Sequence, residues 1–401
     1  MILTETHQIK SSHKLYSICD ELCFKSKNLY NSALFEFRKS YFYKESEILN
    51  WQDINKVFNQ NNQFDYRQLP SKVSNAILKK LGNNISSFWS LIKKSDYRNK
   101  KVNPPKYLHK TKGRFVVEFN KQTFSTKRDE NNNLIICKSS LDLRIPTKVE
   151  NSCQVRIVPK TSYYTIEIIY EAKENNIKQN QNIAAIDLGL NNLATVVTND
   201  GNNPILISGK KIKSINQYFN KIISKKKSLL PNNIYTSKSL DRLWLKRNNK
   251  IFYEMHKITK FLASYFDERD ISKVIVGNNK GWKNKINIGK RNNQNFTSIP
   301  YMTLIKQLIY KCRLLGIMVV IKEESYTSKA SFLDYDKIPD YGDKIISKFS
   351  GKRIKRGLYK SKTRKINSDV NGAYNIMIKE NIDNIISDRK QLRFNPILIK
   401  L

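Results

Sequence analysis

The sequence predicts an α+β protein of several domains, because its hydrophobic pattern changes twice along the 401 residues. From about Ser11 to Lys100, apolar residues recur every three or four positions, as they do on the buried face of a helix. From about Asn103 to Lys173 they alternate with polar or basic residues, which is the pattern of half-buried strands. From Ile183 onward, apolar strands alternate with long helical segments, and this order predicts an α/β domain.

Two long helices account for most of the first part of the chain. Apolar residues lie three or four positions apart between Leu15 and Phe37, and again between Val73 and Trp89. A stripe with this spacing covers one side of a helix, which must then be buried against another element. We therefore predict a helical domain over residues 15–102.

A basic β unit is predicted over residues 103–175. Val155 and Ile157 alternate with Arg156, and the turn PKTS separates this strand from a second alternating strand. We expect a small barrel to which residues 1–14 contribute the first strand. The polar stretch KENNIKQNQN that follows is predicted to be a linker.

The predicted α/β domain covers residues 183–380. A buried strand carries Asp187 and leads into a hairpin, which two long basic helices follow. Next come a strand at Val274–Val276, the helix PYMTLIKQLIYKCRLLG with its proline at the start and glycine at the end, and the strand IMVVIKEESY. The next helix is predicted to begin near Asp369, and residues 381–401 are expected to form a C-terminal tail.

The charge of the chain points to a polyanionic partner. Its 73 Lys and Arg exceed its 34 Asp and Glu and give a formal charge of +39, which would repel itself in a compact protein unless a polyanion neutralised it. Nucleic acid fits best, since the basic residues are spread along the chain and not gathered on one membrane-surface helix. With no membrane-length apolar run and no phosphate-cradling glycine motif, we expect a cytoplasmic, nucleoid-associated protein that uses neither membrane nor ATP.

Two aspartates carry the predicted chemistry. Asp187 ends an apolar strand just before Gly189, and Asp369 lies in the first turn of a helix whose Gly372 and Ala373 would let it pack closely on a sheet. Singly, each is explained as a turn residue or a helix N-terminal acid. Together, with a βαβ pattern between them, they predict a ribonuclease H-type sheet. Acids in such a site hold two Mg²⁺ ions roughly 3.5 to 4 Å apart, which promote phosphodiester hydrolysis.

A third carboxylate is not obvious. The strand Val274–Val276 ends at Gly277 and two asparagines, with no charged group. Glu324, just past the end of a neighbouring strand, has a side chain long enough to fill the space left at Gly277. Glu323 is the alternative, because successive residues point to opposite faces of a strand and only one of the two glutamates can serve. If both are exposed charges, the site lacks a third acid and the nuclease is inactive.

The motifs around these acids resemble a known family. The segments AAIDLGLNNLATVV, KRNNQNF, EESYTSKASFLD, GKRIKRGLYKS and NSDVNGAYNI resemble the RuvC-domain half of TnpB proteins. These are transposon-encoded RNA-guided DNA endonucleases related to type V CRISPR effectors. The segments ELCFKSKNLYNSALFEFRK and QVRIVPKTSYYTIEIIYE resemble the family's helical and wedge regions. The resemblance implies a wedge β-barrel with an inserted helical recognition bundle, followed by a ribonuclease H-like (RuvC) nuclease domain. It also implies a guide RNA from the transposon end and a double-stranded DNA target as partners.

The chain departs from this family in two places. Many members carry a zinc-binding cysteine cluster after the YTS element, whereas this chain has no cysteine from there to Asp369, so we expect no zinc. In many members the strand corresponding to Val274–Val276 ends in glutamate, where this chain has Gly277. The ESYTS element resembles the family's motif and favours Glu324 as the third acid. The expected catalytic and metal-binding residues are therefore Asp187, Glu324 and Asp369.

Basic and aromatic residues near the acids are expected to contact nucleic acid. The loop GKRIKRGLYKSKTRK has eight basic residues close before Asp369, and the segment WKNKINIGKRNNQNF is similarly basic. A solvated charge run is the alternative for each. Their position near the acids and their aromatic residues, which can stack on bases or simply pack, favour nucleic-acid contact. The expected binding residues are Trp282, Arg291, Lys352, Arg353, Lys355 and Arg356.

The leading hypothesis is an RNA-guided, Mg²⁺-dependent DNA endonuclease of a transposable element. The alternative is a nuclease-inactive derivative that keeps RNA-guided DNA binding and acts as a transcriptional repressor. An ordinary basic RNA-binding protein would fit the charge but would leave Asp187 and Asp369 unexplained.

Overall fold

Two units make up the chain in a computed structural model, Met1–Ala172 and Lys173–Leu401. Both combine helices with strands, so the protein is α+β with more than one domain. No helix in the described part of the chain has the length and apolar character that a membrane span requires. The structure describes residues 1–43, 50–94, 102–125, 127–279, 287, 289–343, 348–380, 389 and 392–401.

The strands of the first unit form one antiparallel sheet and one two-stranded ribbon. They are β1 (Ile2–Ile9), β2 (Val117–Asn120), β3 (Asn133–Ile136), β4 (Leu143–Pro146), β5 (Ser152–Pro159) and β6 (Tyr164–Glu171). The sheet has the order β1-β6-β5-β2, and β3 pairs with β4 in the ribbon. The strand, turn and strand predicted around PKTS are confirmed as β5 and β6.

Helices of the first unit bury the predicted apolar stripes. The helices are α1 (Tyr16–Tyr43), α2 (Trp51–Gln60), α3 (Phe64–Arg67) and α4 (Ser71–Lys94). Leu29 of α1 and Leu81 of α4 are fully buried, in one hydrophobic cluster with Val155 and Ile157 of β5. Each such side chain contributes about 1.5–3 kcal/mol when it is fully buried, so the cluster fastens the helices to the sheet.

A six-stranded mixed sheet forms the centre of the second unit. Its strands are β7 (Ile183–Leu188), β8 (Asn192–Thr198), β9 (Ile205–Ser208), β10 (Lys273–Gly277), β11 (Met318–Lys322) and β15 (Ile397–Ile399), and a separate three-stranded sheet contains β12 (Lys352–Lys355), β13 (Leu358–Lys360) and β14 (Lys365–Asn367). The order is β11-β10-β7-β8-β9-β15, with β11, β10 and β7 parallel and β8 antiparallel to both its neighbours. The predicted hairpin after Asp187 is therefore confirmed. Residues 397–399, predicted to lie in a tail, instead add a strand beside β9.

Helices cover both faces of this sheet. They are α5 (Lys210–Lys227), α6 (Lys238–Glu268), α7 (Lys290–Thr297), α8 (Tyr301–Leu314) and α9 (Ser368–Ile378). Side chains alternate between the faces, so Ala184 packs in the cluster with α6 and α8, whereas Ala185 and Ile275 pack in the cluster with α9. Asp187 and Gly277 continue the second series, and both therefore face α9.

Hydrogen bonds hold together the segment between β11 and α9, which contains the three-stranded sheet. Asp336 accepts backbone N–H bonds from Ser331 at 2.8 Å and from Ser350 at 2.9 Å. Asp334 accepts a bond from the Ser331 hydroxyl at 2.6 Å and one from the Lys362 backbone at 3.0 Å. Through these four hydrogen bonds, two carboxylates hold three residues of the segment, and the buried Tyr359 adds a hydroxyl bond at 2.7 Å to the carbonyl of the lysine two residues before Ser331.

Candidate active site

Asp187 is the penultimate residue of the buried strand β7 and lies under helix α9. A Cβ atom built at Gly372 of α9 would lie only 2.9 Å from Asp187 Oδ2, so the glycine lets the helix backbone pass over the carboxylate. Burial and, to a smaller extent, the nearby Asp369 carboxylate together raise the pKa of Asp187 to about 7, although Arg353 partly opposes them. Asp187 therefore lies in a site that lacks enough positive charge to balance its ionised form.

Asp369 lies in the first turn of helix α9 and is fixed by its neighbours. The side chain of the N-cap residue Asn367 accepts backbone N–H bonds from Asp369 at 2.9 Å and from Val370 at 3.2 Å. The Asp369 carboxylate accepts a bond from Asn192 Nδ2 at 2.8 Å and one from Arg353 Nη2 at 3.3 Å. Helix capping and these two donors together set the direction of the carboxylate.

Glu324 lies just beyond the end of β11, with its backbone fixed and its carboxylate buried. Its N–H donates to Asn279 Oδ1 at 3.0 Å, which links the loop after β11 to the loop after β10. Burial raises the pKa of Glu324 to about 8, with further contributions from Asp187 and Glu323 and an opposing one from Lys379. Within the described residues, its buried Oε2 has no hydrogen-bond partner. A buried carboxylate oxygen without a donor is costly, which is why a cation would suit this position.

Gly277 and Glu324 share one space at the ends of the adjacent parallel strands β10 and β11. A Cβ atom at Gly277 would lie 2.6 Å from Glu324 Oε2 and 2.5 Å from Cδ1 of Ile376 in α9. Real Cβ atoms do not approach other heavy atoms this closely. The Glu324 carboxylate thus reaches the place where a side chain at position 277 would lie.

Glu323 points to different partners. Its carboxylate forms an ion pair with the buried Lys379 and accepts the Ser325 N–H at 2.7 Å. Burial alone would raise the pKa of Glu323, but the hydrogen bonds from Lys379 and Ser325 outweigh it and lower the pKa. The two adjacent glutamates thus differ in environment: Glu323 is neutralised by a lysine, whereas Glu324 shares charge repulsion with Asp187.

The three predicted acids are electrostatically coupled, but they do not form a closed ligand set. In the described part of the chain, no three His, Cys, Asp or Glu side chains meet the geometry of a metal site. Asp369 raises the pKa of Asp187, and Asp187 raises that of Glu324. Carboxylate oxygens are the donors that Mg²⁺ prefers, and the unpartnered Glu324 Oε2 and the repulsion among the acids fit a bound divalent cation. We name Asp187, Glu324 and Asp369 the carboxylate site.

Most of the predicted basic residues lie together on one exposed element. Lys352, Arg353 and Lys355 lie on β12, Arg356 follows in the turn, and all four are exposed. Arg353 contacts the Asp369 carboxylate and also donates to Ser368 Oγ at 3.0 Å. Trp282 lies outside the described residues, and the side chain of Arg291, in α7, does so too.

Sequence reasoning missed three residues that support the site. Asn192 donates to Asp369, Asn279 accepts from the backbone of Glu324, and Tyr301 donates its hydroxyl to the Gly189 carbonyl at 2.9 Å. Burial raises the pKa of Tyr301, and the charges of two site acids raise it further. The asparagines follow the ends of strands, which was a usable signal, whereas the tyrosine at the start of α8 carries no local pattern.

Two comparisons with known proteins match this chain: a family model over part of it and a curated protein over most of it. Residues 154–283 match the family model OrfB_IS605, described as a probable transposase. A curated protein, TnpB-like protein ORF457 of Acidianus two-tailed virus, is 24% identical over 397 residues, covering 88% of this chain and 81% of that protein.

Solved structures resemble the chain more weakly. A Cas12f1–sgRNA–target DNA complex is 16% identical with a TM-score of 0.36, over 93% of this chain and 98% of that chain. The mini-RNA-guided endonuclease CRISPR-Cas_phi3 is 10% identical with a TM-score of 0.49, over 94% of this chain and 92% of that chain. These TM-scores are too low to establish a common fold. The family model and the curated relative, together with the motifs around Asp187 and Asp369, bear out the resemblance of this chain to TnpB proteins.

Proposed function

We propose that this protein is an RNA-guided DNA endonuclease of a transposable element and that it cuts DNA at the carboxylate site. One observation carries the proposal most directly: Asp187 is coupled to Asp369 on one side and to Glu324 on the other, with the pKa of Asp187 raised to about 7 and that of Glu324 to about 8. Perturbed acids of this kind are typical of catalytic centres. The resemblance to TnpB proteins supports the same reaction class.

Asp187, Glu324 and Asp369 are the residues that would hold divalent metal, which we propose to be two Mg²⁺ ions. Bound there, such ions supply water activation and leaving-group stabilisation for phosphodiester hydrolysis. The side chains around the acids have separate tasks. Asn192 holds one Asp369 oxygen through a bond of 2.8 Å, and the Asn279 amide fixes the backbone from which Glu324 extends. Gly372 and Gly277 leave the room that the carboxylates of Asp187 and Glu324 occupy.

We further propose a guide RNA from the transposon end and a double-stranded DNA target as partners. The formal charge of +39 and the exposed basic residues of β12 support binding to phosphate backbones. The finer architecture belongs to the same proposal: a ribonuclease H-like (RuvC) nuclease domain over 183–380, and a wedge β-barrel of 1–14 and 103–175 with the recognition helices of 15–102 inserted. The parallel strands β11, β10 and β7, of which β10 and β7 pack on α9, support the nuclease assignment.

A guided cleavage assay tests the proposal. The protein is purified with its bound RNA, that RNA is sequenced, and a DNA carrying the complementary target is incubated with wild type and with Asp187→Asn, in Mg²⁺ and in EDTA. We expect cutting only by wild type in Mg²⁺, with equal RNA and DNA binding by both proteins. Guided binding by a wild type that never cuts would overturn the nuclease and leave a repressor, and the absence of bound RNA would overturn the guided mechanism itself.

A further inference from the structure

A polar cavity of about 400 Å³ lies in the second unit, apart from the carboxylate site. Its lining has no acidic side chain among the described residues. The cations come from two stretches of chain, at β14 and shortly before β15, and amides stand beside them. The lining residues that matter are Arg364, Lys365, Arg393, Asn203, Asn395 and Phe394.

The floor of the cavity is rigid. Phe394 is 7% exposed and packs in an aromatic cluster, with its ring centroid 5.4 Å from that of Tyr374 and 6.2 Å from that of Phe332. The Arg364 guanidinium lies over the Phe394 ring at 4.3 Å. Stacking uses the flat face of the guanidinium and leaves the N–H groups on its edge available, which is the arrangement that binds phosphate oxygens in a bidentate way.

The backbone holds Arg364 in this position. The Ser361 hydroxyl accepts the Arg364 N–H at 3.0 Å, and the Ser361 N–H donates to the Arg364 carbonyl at 3.0 Å. The turn so formed leads directly into β14, which pairs with β13 through Tyr359 and Ile366. Both partners of the cation–π contact are thus fixed before any ligand arrives, which reduces the entropy lost on binding.

We propose that this cavity binds the phosphodiester backbone of a nucleic acid strand. Arg364, Lys365 and Arg393 supply the charge, and the amides of Asn203 and Asn395 supply neutral donors beside it. A strand is favoured over a free phosphate because the cavity opens at the surface of a chain with a formal charge of +39, where a long polyanion gains additional contacts.

The fold connects this cavity to the carboxylate site. β14, which lines the cavity with Lys365 and Ile366, runs on into α9, which carries Asp369. β12, at the other edge of the same three-stranded sheet, carries Arg353, which contacts Asp369. A strand held in the cavity is therefore anchored on the same small sheet that contacts Asp369. The proposal for the cavity rests on the proposed function in one respect only, which is that the bound polymer is a nucleic acid.

Photocrosslinking in EDTA tests the cavity without any cleavage. The photoreactive residue p-azidophenylalanine is placed at Asn395, in the lining, or at Asn232, an exposed turn residue between α5 and α6 that is not in the lining. Each protein is freed of nucleic acid, mixed with labelled single-stranded DNA or RNA, and irradiated. We expect several-fold more crosslink at Asn395 than at Asn232, and millimolar inorganic phosphate should compete no better than sodium chloride of the same ionic strength.

Charge-matched variants complete the test. The double variant Arg364→Gln, Arg393→Gln should abolish the crosslink at Asn395 and reduce the slope of log affinity against log salt by about 1 to 2. The control is the double variant Lys225→Gln, Lys226→Gln at the exposed end of α5, which should leave the crosslink in place. Equal loss of the crosslink with both pairs of variants, or equal crosslinking at Asn395 and Asn232, would contradict the proposal that the cavity binds nucleic acid. If inorganic phosphate competes better than sodium chloride of the same ionic strength, the ligand is a free phosphate and not a strand. A wild type that binds no nucleic acid at all would overturn the proposed function as well.

Discussion

Glu324 Oε2 lies 2.6 Å from the position that a Cβ atom of Gly277 would take, so the two residues compete for one space at the ends of β10 and β11. The backbone of Glu324 is tied at the same edge by its 3.0 Å bond to Asn279. The carboxylate therefore has little freedom to withdraw, and the glycine is required for as long as the glutamate points inward.

Substitution of Gly277 by alanine should destabilise the protein by about 1–3 kcal/mol, because the added methyl group overpacks against Glu324 and Ile376. In a Glu324→Ala background the same substitution should cost at least 0.5 kcal/mol less, on the order of the coupling between contacting residues. Urea unfolding of the four proteins measures this coupling. Additive costs would show that the two side chains do not compete.

Replacement of Glu324 by glutamine should abolish DNA cutting, because it removes a carboxylate from the carboxylate site while keeping the shape of the side chain. The matched control is Glu323→Gln, which removes the adjacent charge and its ion pair with Lys379 but keeps an oxygen that can accept the Ser325 N–H. We expect the control to cut DNA and to lose some thermal stability. Cutting by Glu324→Gln, or loss of cutting with Glu323→Gln alone, would move the third acid away from Glu324.

The metal-free protein should lose stability as the pH rises from about 5 to 8. Folding raises the pKa values of Asp187 and Glu324 to about 7 and about 8, well above the ordinary values of these carboxyl groups in an unfolded chain. In this range the folded protein holds protons that the unfolded chain has released, so its free energy of unfolding falls with increasing pH. Denaturation in EDTA across this range measures the slope.

Mg²⁺ should counter this loss most strongly at the upper end of the range, since a cation favours the ionised carboxylates. The control is Asp187→Asn with Glu324→Gln, in which both titrating groups are gone. We expect a shallower pH slope and little response to Mg²⁺ from this variant. A variant with the wild-type slope would place the titration in other residues.

Substitution of Asn192 by alanine should reduce cleavage about 10- to 100-fold and raise the Mg²⁺ concentration required, because Asp369 loses the donor that orients it. Asn191→Ala is the neighbouring control, since its side chain accepts a bond from Lys213 at 2.7 Å. Initial cleavage rates over a Mg²⁺ titration separate the two effects. An Asn192 variant with unchanged rate and Mg²⁺ dependence would show that Asp369 needs no such support.

The sequence was informative where one periodic pattern determined the local structure. Strand β7 and its hairpin were predictable because a continuous apolar run buried on both faces leads to a tight turn, and helix α9 was predictable from its small residues and N-terminal acid. The choice between Glu323 and Glu324 depended on a motif, because the strand before them has no clear alternation. Its residues Met318 and Ile321 are exposed while Val319 and Val320 are partly buried.

Contacts between segments that are distant along the chain could not be predicted from the sequence. The bond from Asn192 to Asp369 joins residues 177 positions apart, and that from Tyr301 to Gly189 joins residues 112 apart. The strand Ile397–Ile399 is too short for a periodic signal and exists because β9 offers it an open edge. Such features follow from the assembled sheet, which local patterns do not encode.

The segment between β11 and α9 is held together by hydrogen bonds to two aspartates. Asp334 and Asp336 hold Ser331, Ser350 and Lys362 by hydrogen bonds, and the chain has no cysteine between Cys312 and its last residue, Leu401. Oxidants and thiol-reactive compounds therefore have no cysteine to attack there. The hydrogen bonds of this segment therefore do not depend on the redox state of a thiol.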